Sequence, residues 1–243
     1  PRGMHTVFLT GAGMSAESGV PTFRDALTGL WARFDAERLA TPEAFRRDPA
    51  LCWGWYRWRA ALVRRAAPNA GHLAIAAHAD AGHAVAVVTQ NVDDLHERAG
   101  SRDVVHLHGS LFASRCLDCG HVESPDPILE RLDAVPADGT REAPPPCPRC
   151  GGAFRPGVVW FGEALPEDAW QRACELVSRC ALLVVVGTSG LVHPAASLPR
   201  LARECGARVV EINPVDSAVS ALAHEWIRMP AATGIPTLLA RLD

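Results

Sequence analysis

Val7-Phe8-Leu9-Thr10-Gly11-Ala12-Gly13-Met14-Ser15-Ala16 is an apolar run that stops at a threonine and a glycine-rich turn. A run of this kind reads as a buried strand feeding a tight turn. The turn fits the form Gly-x-Gly-x-x-Gly/Ala, whose small residues let backbone amides at a helix start approach a pyrophosphate. By itself it also fits an ordinary glycine turn between strand and helix, so the rest of the chain decides. Val85 to Thr89, Leu182 to Val186 and Arg208 to Ile212 are similar runs, each ending in polar or glycine-bearing residues. Helical patterns such as Glu167 to Arg179 and Ala195 to Cys205 lie between them. Continuous β-branched strands alternating with helices predict an α/β fold, a parallel sheet with helices on both faces. In such sheets ligands sit beyond the carboxyl ends of the strands.

The chain has 243 residues, 48% hydrophobic and 21% charged, within the range of globular proteins. At this length it buries on the order of 70% of its unfolded surface and needs no disulfides to stand. A net charge of −3 argues against capture of nucleic acid or an anionic membrane by bulk charge. All 24 basic residues are arginine, a bias that GC-rich coding accounts for and that leaves no lysine side chain anywhere. No apolar run reaches ~18 residues and the start carries no secretory pattern, so a cytoplasmic protein is expected. Pro1, Arg2 and Gly3 ahead of Met4 read as a remnant outside the fold.

Two stretches break the alternation. Residues 38–79 hold no clear strand, but Trp55, Trp58 and Leu62 fall at i, i+3 and i+7 on one helical face, which predicts a helical insertion. Residues 113–153 have too little apolar material for a core of their own. They contain Cys116, Cys119, Cys147 and Cys150, two Cys-x-x-Cys pairs each followed by glycine, the knuckle that points two thiolates at one tetrahedral ion. Two separate redox pairs or disulfides are the alternative, which a reducing compartment disfavours. Four thiolates close the shell, so a zinc ion there is structural, and the long spacer 120–146 is expected to protrude as a loop. Cys52, Cys174, Cys180 and Cys205 read as plain core residues.

Polar residues gather at the strand ends. Gln90, Asn91, Asp93 and Asp94 close one strand, His106 and His108 the next, and Gly187-Thr188-Ser189 and Asn213-Pro214 two more. Side chains so placed can handle a ligand, and a histidine among them can serve as general base near neutral pH, although a lone histidine is usually structural. The acidic residue that ordinarily grips a dinucleotide's ribose is not recognisable after the second strand. A long segment from Ser18 to Trp31, rich in glycine and proline, follows the turn instead, which counts against an ordinary hydride-transferring dehydrogenase.

Residues 11–24 (Gly-Ala-Gly-Met-Ser-Ala-Glu-Ser-Gly-Val-Pro-Thr-Phe-Arg), Gln90 to Asp93, His108 to Ser110, the four cysteines, Val158 to Glu163 and Gly187 to Ser189 together resemble the sirtuins, NAD-dependent protein-lysine deacylases. The match runs in order over residues 4–243. It implies a Rossmann-like domain from 4–37, 80–112 and 154–243, and a small domain made of the insertion 38–79 and the zinc module 113–153. NAD and an acyl-lysine peptide would meet in the cleft between them. By the same resemblance His108 is the general base. On that resemblance the acyl oxygen would attack C1′ of the nicotinamide ribose, nicotinamide would leave, the histidine would activate a ribose hydroxyl against the alkylimidate, and water would complete the transfer to give free lysine and O-acyl-ADP-ribose. Gly11, Ala12, Gly13, Ala16, Glu17, Pro21, Thr22, Phe23, Arg24, Gln90, Asn91, Asp93, Gly187, Thr188, Ser189, Asn213, Pro214, Val215 and Ala231 would meet NAD, and Val158, Val159, Trp160 and Phe161 would line the lysine tunnel.

Tyr56 and Arg59 stand at i and i+3, and Tyr56 is the only tyrosine. A phenol and a guanidinium so placed can hold a carboxylate between them. On spacing alone a solvated arginine beside a partly packed tyrosine fits as well. With Ala12 in the opening loop, the pair resembles the sirtuin subgroup that removes succinyl, malonyl or glutaryl groups, with residual deacetylation expected. Transfer of ADP-ribose to protein from the same NAD site is the alternative activity, but gives Tyr56 and Arg59 no role. A non-catalytic zinc-ribbon binding module is a second alternative, and the acidic balance disfavours its nucleic-acid form.

Overall fold

The computed structural model describes residues 5–22, 31–124, 132 and 134–243. Phe23 and Arg24, expected at the cofactor, lie outside the described residues, as do Pro1, Arg2 and Gly3. The described chain opens with β1 (Thr6–Thr10), followed by the helices α1 (Ala36–Leu39), α2 (Pro42–Arg47), α3 (Pro49–Arg65) and α4 (Ala70–Asp80). Next come β2 (Val85–Thr89), α5 (Leu95–Arg98) and β3 (Val104–His106), then β4 (Gly109–Cys116), β5 (Val122–Glu123) and β6 (Phe154–Val158). The last third contains α6 (Glu167–Arg179), β7 (Leu182–Val186), α7 (Leu198–Glu204), β8 (Arg208–Ile212), β9 (Glu225–Ile227) and α8 (Ala231–Leu239).

Six strands form a parallel sheet in the order β3-β2-β1-β7-β8-β9. Because side chains alternate along a strand, its two faces bury different sets. Val7, Leu9, Ala86, Val88, Leu183, Val185 and Val209 pack under Ala173 and Val177 of α6 and Leu198 and Ala202 of α7. Phe8, Val87, Val184, Val210 and Ile212 pack under Ile75 of α4 and Ile235 and Leu238 of α8. Each valine, leucine, isoleucine or phenylalanine among them contributes roughly 1.5–3 kcal/mol on full burial, which is why these strands are written as unbroken apolar runs.

The order reverses between β1 and β7, and that switch point opens a crevice at the carboxyl ends of the strands. Register lines those ends up. Thr10 is paired with Thr89 on one side and Val186 on the other, and Val186 with Ile212. Gly11, Gln90, Gly187 and Asn213 are therefore the first residues past four adjacent, aligned strands.

Two elements at the expected domain boundaries make contacts that cross them. The sheet domain is expected to resume at residue 80, and α4, just before it, packs on the sheet through Ile75, which shares a core with Phe8 and Ile235. It was also expected to resume at 154, yet β6 pairs antiparallel with β4 in a second, three-stranded sheet of order β5-β4-β6. Both boundaries depend on which surface an element meets, and α4 and β6 are joined to their partners by residues distant in sequence.

The small domain is built around α3. Asp48 caps its first turn by accepting from the Leu51 N–H at 3.2 Å, with Pro49 at the first helical position. Trp55 and Trp58 are buried as their spacing predicts and Leu62 is half-buried, but most of α3 is buried as well, including Trp53 and Arg57. Trp31, Leu39, Phe45, Leu111, Phe112, Val158 and Trp160 cover one side. The described part of the cysteine spacer covers another. Instead of protruding, it straps the helix: Trp58 Nε1 donates to the Ala137 carbonyl, Arg57 Nε to Glu142 at 2.9 Å, and a Cβ at Gly54 would lie 2.0 Å from the Thr140 oxygen. Among the described residues, no helix is long and apolar enough to cross a membrane.

Candidate active site

The glycine turn is held by the strand end beside it. Gly11 N–H donates to the Val186 carbonyl at 2.9 Å and Gly13 N–H to the Gly187 carbonyl at 2.8 Å, so neither amide is offered to a phosphate as the motif predicts. A Cβ on Gly13 would stand 2.6 Å from Gly187 Cα, and Gly187 itself has φ +60 and faces Gly13. The glycines are small because backbone meets backbone here. The expected helix start is two short 3-10 turns, Ala12–Met14 and Ala16–Ser18, ended by Gly19 in the left-handed region. Ala12 and Ala16 are exposed on the outer side of the turn, with Pro21 and Thr22 half-buried beyond it.

Below the turn lies a polar chain. Ser15 donates to Asp93 Oδ2 at 2.8 Å, and Asp93 Oδ1 accepts from the Leu95 N–H. His72 Nδ1 accepts from the Asn69 N–H, so its Nε2 carries the proton and points at Ser15 Oγ, 3.4 Å away. Burial pushes His72 down to about 4 and holds Asp93 above the ordinary carboxylate value. Asn91 Nδ2 donates to the Gly11 carbonyl at 2.8 Å, and Gln90 Nε2 to Thr188 Oγ1 at 3.1 Å. His106 sits between two acceptors, the Asn91 carbonyl at 3.0 Å and Glu97 Oε1 at 2.7 Å, so both its nitrogens carry protons. Burial opposes that charge, but Glu97 and the Asn91 carbonyl outweigh it and keep His106 above its ordinary value.

His108 differs from its neighbour. Its Nδ1 lies 3.0 Å from the Gln90 carbonyl, an acceptor only, so Nδ1 holds the proton and Nε2 presents a lone pair. Burial lowers its pKa, which keeps that lone pair available at neutral pH. The backbone of Val159 donates to the His108 carbonyl at 2.8 Å, tying the histidine to the 158–161 segment. Val158 and Trp160 are buried there and Phe161 is half exposed.

Trp160 joins this segment to α3. Its indole N–H donates to Tyr56 Oη at 3.0 Å, its ring packs on Phe45 at 5.4 Å, and the Arg155 guanidinium lies 3.6 Å above it. Arg155 is fixed by a two-pronged bond to Glu163, whose Oε1 also accepts the Trp160 N–H. The Arg59 guanidinium lies 5.0 Å from the Trp55 ring centre and 5.6 Å from that of Tyr56. Burial pulls Arg59 below its ordinary value and lifts Tyr56 to about 12, so the pair stands as a cation beside a neutral phenol.

At the far end of the crevice Asn213 Nδ2 donates to the Thr188 carbonyl, and Asn213 Oδ1 accepts from the Val215 N–H. Ser189 is half-buried, while Pro214 and Val215 are exposed. The Ala231 methyl is inside the core, leaving only its main chain for a ligand, and Glu17 accepts from the Ala232 N–H at 2.9 Å, capping α8. The structure thus brings Gly11, Gln90, Asn91, Asp93, His108, Gly187, Thr188 and Asn213 to one crevice. Reading the sequence missed Ser15, Asn69 and His72; the signal was Asn69 with His72 three residues on, a helix-capping pair whose imidazole continues inward.

The four cysteine sulfurs lie within 4.8 Å of one another, with Cys116–Cys150 at 3.5 Å and Cys119–Cys147 at 3.7 Å. A tetrahedral ion with bonds of about 2.3 Å needs sulfurs roughly 3.8 Å apart. Backbone N–H groups of Asp118 and Arg149 point at Cys116 and Cys147, as metal-bound thiolates require, so the residues present fit zinc.

Comparison with known proteins places these features in context. A model of the Sir2 family matches residues 11–194. The NAD-dependent protein deacylase of Pseudomonas putida is 52% identical over 240 residues, covering 98% of this chain and 90% of that protein. A solved Sir2 homologue–NAD complex superposes with a TM-score of 0.86 at 44% identity, covering 98% of this chain and 89% of that one. Sir2Tm bound to a propionylated peptide superposes at 0.80 with 30% identity, over 98% and 92%.

Proposed function

This chain belongs to the Sir2 family, and on that premise we propose that, as an NAD-dependent protein deacylase, it removes acidic acyl groups from lysine: succinyl, malonyl and glutaryl ahead of acetyl. One observation carries the acyl preference. Arg59, half-buried, keeps its charge beside Tyr56, whose oxygen already accepts from Trp160, so the phenol proton is directed away from the indole. A carboxylate entering here would pair with the guanidinium charge and accept from both the Arg59 and Tyr56 donors. Acetyl offers neither gain.

NAD, when bound, supplies an electrophilic anomeric carbon and a leaving nicotinamide. The chain supplies the rest. Asn91 and Asp93, fixed by Gly11 and Ser15, flank the nicotinamide end, while Gln90, Thr188, Ser189, Asn213 and Val215 follow the strand ends toward the adenosine. His108 accepts a ribose hydroxyl proton at Nε2, the tautomer being set by the Gln90 carbonyl. Val158, Trp160 and Phe161 guide the lysine stem. Cys116, Cys119, Cys147 and Cys150 would hold a zinc ion that ties the small domain together, a structural role that four thiolates suit.

The deciding experiment is a steady-state comparison of succinyl, malonyl, glutaryl and acetyl peptides of one sequence, with and without NAD. The reading requires kcat/KM at least tenfold higher for an acidic acyl group, full dependence on NAD, and O-acyl-ADP-ribose by mass spectrometry. Acetyl preferred, or ADP-ribose found on the peptide, would replace it.

A further inference from the structure

Far from the crevice, at the other ends of the helices that flank it, two histidines and an aspartate converge. His78 stands in the last turn of α4, His83 just past the Gly82 turn, and Asp243 beyond the end of α8. Their ligand atoms, His78 Nδ1, His83 Nε2 and a carboxylate oxygen of Asp243, all lie within 4.8 Å of one another. The two imidazoles are stacked, ring centres 3.9 Å apart and planes 8° from parallel, with the His78 side chain only 5% exposed. Both nitrogens face the same Asp243 oxygen, at 3.8 Å from His78 and 3.6 Å from His83.

Those separations are too long for hydrogen bonds, which end near 3.2 Å. They are close to what a shared cation needs. Two bonds of about 2.0–2.2 Å meeting at a tetrahedral angle span roughly 3.4 Å, so a closure of a few tenths of an ångström, with the exposed Asp243 and His83 free to supply it, completes three bonds. Two imidazoles and one carboxylate suit borderline divalent cations over calcium or magnesium, and leave a position for water.

We propose that His78, His83 and Asp243 form a second zinc site, distinct from the four-cysteine centre. The ion ties α4 to the chain beyond α8. These helices pack on each other along the same face of the sheet, and their opposite ends carry Asn69, His72 and Ala231 at the active-site crevice. Occupancy therefore staples the two elements that form one wall of the fold.

The test uses the protein with its four-cysteine centre already zinc-loaded. Calorimetric titration with further zinc is expected to show one additional equivalent bound at micromolar concentration, and a concentration-dependent rise in Tm. In His83→Ala and Asp243→Asn, both surface changes, that affinity should fall at least tenfold and the Tm rise vanish, with deacylase activity at low zinc unchanged. Cobalt in the second equivalent should give visible bands without the thiolate charge-transfer absorption of the cysteine centre. No saturable binding up to millimolar zinc, or equal affinity in all three proteins, would overturn the proposal.

Discussion

Trp160 and Tyr56, 104 residues apart in the chain, are joined by an indole-to-phenol hydrogen bond of 3.0 Å. The bond fixes which way the phenol proton points and couples the 158–161 segment to the helix that carries Arg59. Behind Trp160 the Arg155–Glu163 pair sets both its ring and its main chain. Trp160, Tyr56, Arg155 and Glu163 are thus one connected piece, and under the proposed acyl preference changes at it should divide substrates by charge.

Arg59→Met is expected to lower kcat/KM for a succinyl peptide by one to two powers of ten and for the acetyl peptide by no more than about threefold. A charge-assisted hydrogen bond contributes about 1.5–3 kcal/mol, and about 1.4 kcal/mol is a factor of ten. Matched peptides measured side by side check this. Equal losses would remove Arg59 from acyl recognition.

His108→Ala should cost deacylation about 10²- to 10⁴-fold, the usual contribution of a positioned base. The pH profile follows from the direction of its shift. The base must be unprotonated to work, and burial lowers its pKa below the ordinary 6.5. Activity should therefore stay level through pH 7 to 8 and fall only on the acid side of 6.5. A midpoint above 6.5 for kcat/KM would contradict the assignment.

His72 links pH to stability. Its folded pKa is pushed down to about 4 by burial, against an ordinary 6.5. Between those values the unfolded chain takes up a proton that the folded chain refuses. The stabilisation present above pH 6.5 is therefore lost as pH falls toward 4, by up to about 1.4 kcal/mol per pH unit. Urea unfolding of wild type and His72→Gln across this window should show a shallower slope in the variant. Identical slopes would show that His72 is not the group responsible.

Removal of zinc should unsettle the small domain before the sheet. Trp53 shares a small core with Cys116, Cys147 and Phe154, so its fluorescence reports on the metal centre. Chelation, or Cys116→Ser, should shift that emission and abolish activity while the circular dichroism of the sheet domain largely persists. A chelated protein with full activity would contradict the closed structural role.

The strands Val85–Thr89, Leu182–Val186 and Arg208–Ile212 and the helix Glu167–Arg179 were legible to the residue, because elements buried by a parallel sheet are written in composition alone. The four cysteines were legible from spacing. Where α4 belongs was not, since a helix rich in alanine and histidine does not name the surface it meets. Nor was the use of the Gly11 and Gly13 amides, because a glycine makes room without saying for whom. Asn69 and His72 were not legible either, because Met14 and Ser18, which Asn69 bonds, and Ser15, which His72 faces, lie distant in the chain. That Arg57 is buried against Glu142, and the spacer folded over α3, depends on a contact 85 residues long in sequence.

The contact of Gly13 with Gly187 bears on how this protein can be altered. With the tips of β1 and β7 bonded through Gly11 and Gly13 and no room for a single added carbon, the floor of the crevice behaves as one casting. Substitutions in this turn must leave that contact untouched and work from Ala12 and Ala16, which are exposed. The tolerance of the protein to redesign is thereby confined to the rim.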